Sequence, residues 1–193
     1  MSELTDAQMS DMFVKIGLDP KVVTDVLKNK KLSKVLAQMV TEAGIADGVE
    51  DRTVGQNFYT LASKLPPDAS ALTKSNRGDL YKFIVDGSVK TAAQVNAAIT
   101  YFKKKTAFDA EEFKAECGVG VVVTPEQITE TINKVLDENK EELTTERYRV
   151  VGKLLGLVNG TLKWANGGAV KTAFDQAVID RIGPKGENES AAR

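Results

Sequence analysis

Residues 116–128 read ECGVGVVVTPEQI, one cysteine, two glycines and four valines between stretches of polar, helical character. Three readings compete here: a glycine loop that cradles a nucleotide, a reactive thiol, or a joint between two helical bodies. The nucleotide loop lacks its parts. GVGVVVTPEQ has neither the G-x-x-x-x-G-K-[ST] phosphate cradle nor the third glycine of a dinucleotide turn, and no strand delivers it. Phosphate could still meet the N–H groups opening the next helix, but Glu126 stands where that charge would arrive. The thiol fares no better, because Glu111, Glu112 and Glu116 near Cys117 disfavour the thiolate that a nucleophile needs. A buried small side chain is the expectation for Cys117. An extended segment of valines leading into a capped helix is the expectation for the whole stretch.

Outward from it, helix starts are legible. Thr5-x-x-Gln8, Thr53-x-x-Gln56, Thr91-x-x-Gln94 and Thr124-x-x-Gln127 each match a capping box, with the threonine oxygen on an early N–H and the Gln reaching back. Asp109-x-x-Glu112 is a near variant. Asp19 and Thr124 precede prolines, which suit the first helical position because the N–H they lack has no partner there. Apolar residues then recur at helical spacing: Met9, Met12, Phe13 and Ile16; Leu32, Val35, Leu36 and Met39; Val95, Ala98, Ile99 and Phe102; Ile128, Ile132, Val135 and Leu136. The pattern predicts seven to ten helices and one extended segment at 119–123, an all-α chain. LPPDAS at 65–70 stops one helix. The stronger division predicts two small helical subdomains, 1–115 and 116–185, joined by a short extended linker, with a polar tail over 186–193.

The chain has 193 residues and no histidine. That absence removes the commonest general base, the Ser-His and Cys-His nucleophiles, and most zinc sites. One cysteine permits no internal disulfide, which points to a reducing compartment. No apolar run spans a bilayer, and MSELTDAQMSDM is acidic, unlike a signal peptide. The net charge is −1, but the signs come in blocks, basic over 61–108, acidic over 109–146 and basic again over 147–185.

Those basic blocks hold the candidate polyanion contacts. One group is Lys28, Lys30, Lys31 and Lys34; a second is Lys103, Lys104 and Lys105; a third is Arg147, Arg149, Lys153, Lys163 and Lys171. Polyanion affinity comes largely from such side chains displacing counterions from phosphate, though a lysine run also suits a plain solvated face. Trp164 could stack on a base, whereas a lone tryptophan between helices more often fills a core. Gly152, Gly156 and Gly160 share one helical flank, where bare backbone admits either a crossing helix or an RNA phosphate. Helix crossing is the expectation.

Taken in order, LSKVLAQMVTEAG, NFYTLASKLP, ECGVGVVVTPEQI, ERYRVVGKLLG, LKWANGGAVKTAFD and RIGPK closely resemble the N-terminal appended region of eukaryotic glutaminyl-tRNA synthetases. The resemblance covers about residues 10–185. It implies an all-helical, non-catalytic RNA-binding module of two subdomains, similar to the helical tail of the amidotransferase B subunit. It also implies a class I catalytic domain beyond this chain, which would use ATP and magnesium; the HIGH and KMSKS signatures of such a domain are missing here. No cofactor is expected within these residues. The implied partners are tRNA, tRNA(Gln) first, the catalytic domain of the same chain and other synthetases, with no membrane, in the cytoplasm. The LKWANGGAVKTAFD and RIGPK segments add weight to Lys163, Trp164, Lys171 and Lys185. The expected tRNA-binding set is thus the three basic groups together with Lys185. Two alternatives stay open: a helical protein-interaction module docking a synthetase into an assembly, and an enzyme in its own right.

Overall fold

In the computed structural model the described residues are 3–65 and 72–186. They form eleven α-helices: α1 (Asp6–Lys15), α2 (Pro20–Lys28), α3 (Lys30–Glu42), α4 (Arg52–Lys64), α5 (Lys74–Asp86), α6 (Ala92–Lys104), α7 (Ala110–Cys117), α8 (Pro125–Glu138), α9 (Lys140–Glu146), α10 (Val151–Thr161) and α11 (Gly167–Ile182). A short 3₁₀ turn, Arg147–Arg149, links α9 to α10. No strand occurs among the described residues, so the all-α class holds and residues 119–123 form none.

The capping chemistry is largely that of the sequence. Thr5, Thr91 and Thr124 each close a full capping box, and Asp19 and Asp109 accept from Lys21 and Glu112 N–H groups. Thr53 is the exception. Asp51 lies two residues ahead and its carboxylate takes the Thr53 N–H at 2.9 Å, so α4 begins at Arg52 and Thr53 falls inside it. The helix count exceeds expectation because Asn29 and Asn139 each end one helix and begin the next. Asn29 accepts the Leu32 N–H at 3.1 Å; its polar side chain replaces the partner that a chain reversal removes. The predicted stop at LPPDAS lies, past Leu65, outside the described residues.

The chain divides into two compact units, 1–120 and 121–193, each with its own core. The boundary falls five residues beyond the one read from the sequence, for a packing reason. Phe113 and Cys117 of α7 are fully buried in the first core, and Tyr101, Phe102, Phe108 and Phe113 form a ring cluster with centroids 5.2–6.2 Å apart. Burying one such ring contributes about 1.5–3 kcal/mol, so α7 belongs with α6. Gly118 stops α7 at φ 61°, a left-handed geometry that a Cβ disfavours. Its carbonyl accepts from the buried Gln94 amide at 2.8 Å, and Gly120 N–H donates to the Ser88 carbonyl at 2.8 Å. The glycines of the opening stretch therefore terminate a helix, and Cys117 is a buried core residue.

Elsewhere in the first unit, α4 crosses the end of α1 so closely that a Cβ on Gly55 would lie 2.0 Å from the Ile16 carbonyl oxygen. The second unit packs α8, α10 and α11 around Ile132, Leu136, Leu154, Val158, Phe174 and Val178. Arg181 of α11 holds Asp137 of α8 at 2.7 Å. No helix among the described residues is long and apolar enough to cross a membrane.

Candidate nucleic-acid interface

In the first unit the α2–α3 corner gathers Lys28, Lys30, Lys31 and Lys34 within about two helical turns. Lys28 lies at the C-terminal end of α2, where the helix dipole favours a cation. Lys30 and Lys31 are placed the opposite way. They open α3, whose first turn carries no acid, and their charges face the positive end of the helix. Both are exposed and have no ion-pair partner among the described residues. Lys34 reaches back to Glu3 at 3.0 Å, and Lys28 stands 3.9 Å from Asp25, both across exposed surface.

The 103–105 run separates into two kinds of lysine. Lys103 and Lys104 end α6, exposed and without an ion pair among the described residues. Lys105 caps the helix in an extended conformation, φ −86° and ψ 144°, which turns it toward α7. There it bonds Glu112, stands 3.6 Å from Glu116 and lies 5.8 Å from the Tyr101 ring centre. The Glu112 hydrogen bond, with the Glu112 and Glu116 charges, raises its pKa against a smaller opposing effect of burial. Lys105 thus clamps α6 to α7.

In the second unit Arg147 and Arg149 sit on the 3₁₀ turn. Arg147 has φ 52° and ψ −127°, a strained backbone for a residue bearing a side chain. Arg149 is largely in solvent, 3.9 Å from Glu146. Lys153 donates to both Glu142 oxygens at 3.1 Å, tying α10 to α9, and Lys171 pairs with Asp175 at 2.8 Å along α11. Exposed pairs of this kind contribute about 0–1 kcal/mol, little enough for a phosphate to displace the carboxylate.

Lys171 and Lys185 are brought together although fourteen positions separate them. Both line one open cavity of about 430 Å³, with Tyr148, Gly152 and Leu155. The Tyr148 hydroxyl donates to the Gly183 carbonyl at 2.7 Å and so holds the segment that carries Lys185. Tyr148 was invisible as a site residue in the sequence, because its partner lies thirty-five positions away.

Two expectations fail here. A Cβ on Gly156 or Gly160 would meet nothing within 4 Å, so at these two of the three glycines no helix among the described residues crosses closely. Trp164 is only partly buried and stands outside the second core, in the turn between α10 and α11. Lys163 lies over its ring, 4.6 Å from the centroid. Among the described residues no group of three or more Cys, Asp or Glu converges into a metal site.

Comparison with known proteins accords with this picture of exposed cations on a helical body. Residues 7–167 match the first segment of the family described as "Glutaminyl-tRNA synthetase, non-specific RNA binding region". A probable glutamine–tRNA ligase of Schizosaccharomyces pombe is 38% identical over 93% of the chain, and the cytoplasmic glutamine–tRNA ligase of Arabidopsis thaliana 35% over 91%; the match spans 22% of each relative. A cytoplasmic asparagine–tRNA ligase of Dictyostelium discoideum is 34% identical over 90% of this chain and 26% of its own length. The crystal structure of the tRNA-binding domain of Saccharomyces cerevisiae glutaminyl-tRNA synthetase superposes with a TM-score of 0.65 at 26% identity, covering 97% of this chain and all of that one. The chain therefore belongs to the family of the non-specific RNA-binding region of glutaminyl-tRNA synthetases.

Proposed function

We propose that this chain binds tRNA through phosphate and sugar contacts and adds that affinity to a glutamine–tRNA ligase. Its first partner on this reading is tRNA(Gln). The observation that carries the proposal is the coextensive match with a solved tRNA-binding domain, which accounts for 97% of this chain and all of that one. Lys30, Lys31, Lys103 and Lys104 supply the physical means, since they are exposed and no acid among the described residues holds them. Backbone contacts position an RNA without reading its sequence. The asparagine–tRNA ligase relative supports such indifference, because a similar region occurs there beside a different amino-acid specificity.

Affinity of the isolated chain is then weak, on the order of 10⁻⁴ to 10⁻⁶ M at physiological salt. Joined to a catalytic domain that also holds tRNA, the site acts at high effective concentration. It lowers the apparent KM for tRNA more than it raises kcat, because it holds ground state and transition state alike. Amino-acid activation with ATP and magnesium belongs to that domain in this scheme. A cytoplasmic setting follows the relatives so named. The test is a titration against tRNA at several salt concentrations. A steep fall of affinity with salt supports the tether; affinity independent of salt rejects it.

One observation favours the docking alternative, a cavity of about 530 Å³ in the first unit where Leu4, Met9 and Ala37 lie within a polar rim of Glu3, Lys34, Gln38, Thr41 and Glu42. Recruitment of other synthetases without tRNA binding would establish that reading instead.

A further inference from the structure

Trp164 borders an open cavity of about 400 Å³ whose other walls include Val121 and Val122, Gln127 and Glu130 of α8, and Lys163, with Val123, Thr131, Thr161 and Leu162 completing the lining. Phosphate contacts do not explain its composition. Val122 is 75% and Val121 45% exposed, so apolar surface faces solvent beside a partly exposed indole. Glu130 is exposed, pairs with no cation among the described residues, and would repel a phosphate at this position. Gln127 spends its carbonyl oxygen on the Thr124 N–H at 2.8 Å, while its amide nitrogen meets no acceptor among the described residues. One helical turn of α8 therefore presents a spare donor and a spare acceptor next to an aromatic face. Lys163 is held over the ring by a cation–π contact, weak enough at an exposed site, about 0.5–1 kcal/mol, to yield to a stronger partner.

We propose that this cavity takes one unpaired nucleobase of the bound RNA. The base stacks on Trp164 against the valines, its polar edge meets Glu130 and Gln127, and Lys163 leaves the indole for the adjoining phosphate. Unpaired bases can be splayed out and stacked on aromatic side chains, whereas duplex bases cannot reach such a site. The inference rests on the RNA-binding reading but adds a base contact to a surface otherwise built for phosphates.

Trp164 is the sole tryptophan of the chain, so its emission reports on this cavity alone. The full chain is titrated with a single-stranded hexamer of adenylate, with inorganic polyphosphate as an anion lacking bases, and with AMP. The hexamer should quench Trp164 saturably while polyphosphate does not. Trp164→Leu should weaken the hexamer about 5- to 150-fold, the range spanned by loss of one stacking ring, and leave polyphosphate within about twofold. Glu130→Ala guards against a folding artefact, since the residue is exposed. It removes a negative charge, so every contact made by charge alone must tighten; a several-fold loss of hexamer affinity can come only from the base. Hexamer and tRNA that bind by anisotropy without quenching, or a Glu130→Ala chain that binds both anions more tightly, would overturn the proposal while leaving tRNA binding intact. AMP that quenches at hexamer concentrations would overturn the assignment to an RNA strand. A chain that binds no tRNA even at low salt removes the RNA-binding reading itself.

Discussion

Lys30 and Lys31 offer the sharpest test, because stability and binding ask opposite things of them. Both begin α3 with no acid in its first turn. A cation at a helix N-terminus is disfavoured by about 0.3–1 kcal/mol at low salt, and an anion is favoured by a similar amount. Reversing both charges, Lys30→Glu with Lys31→Glu, should therefore stabilise the first unit. Exposure places each site at the low end of that range, for a gain of about 1 kcal/mol in all. The glutamate introduced at position 30 would also stand four residues before Lys34, in the favourable orientation for about 0.2–0.5 kcal/mol more. Thermal unfolding should rise by a few degrees, on the order of 2–8 °C for a unit of this size. If the two lysines touch phosphate, the slope of log affinity against log salt should shrink by about 0.7–0.9 for each phosphate they no longer neutralise. The assay pairs thermal unfolding without RNA with tRNA titrations at three salt concentrations. A higher Tm with an unchanged slope would mean that this corner does not meet RNA. A lower Tm would refute the dipole argument.

Three further outcomes follow from the same geometry. Lys103→Ala with Lys104→Ala should flatten the salt slope with little change in Tm, whereas Lys105→Met should lower Tm and leave the slope alone, because it breaks the clamp to Glu112 and Glu116. The Tyr81 hydroxyl is buried with no hydrogen-bond partner among the described residues. Its removal in Tyr81→Phe relieves a desolvation cost of about 1–3 kcal/mol, so Tm should hold or rise. Burial pushes that phenol up to about 12; the unfolded phenol ionises first, so wild type should lose stability as pH climbs from 10 toward 12, an alkaline arm that urea melts of Tyr81→Phe should lack. Asp51 is held below the usual carboxylate range, first by the Thr53 N–H it caps and then by the Thr53 hydroxyl and Lys90. A depressed folded pKa gives stability that is present above the unfolded value and lost as pH falls through the folded one, so the acid limb below about pH 4 should soften in Asp51→Asn, which keeps the cap.

Helix starts could be read in advance because a cap is a contact across three residues. Thr91 and Gln94 need only each other, and they pair as the spacing indicates. Thr53 misled only because the Asp51 carboxylate, two places earlier, takes the Thr53 N–H that Gln56 would have reached back to. The three lysines at 103–105 look equal in the sequence. Their difference arises where α6 ends, after which Lys105 turns to acids seven and eleven residues on. Trp164 shows the same limit. Its hydrophobicity argued for a core, but a residue in a turn is buried only if another element covers it, and between the indole and α8 lies an open cavity that both line.

The sequence alone determined that the chain is helical, where five of the eleven helices among the described residues begin and that these residues hold no histidine chemistry, since these depend on neighbours along the chain or on composition. Tertiary structure decided that α7 joins the first core, that no helix among the described residues covers Gly156 and Gly160, and which cations are already paired. Burial and ion pairing are properties of surfaces that meet only after folding, and the residues forming those surfaces carry no local mark of one another.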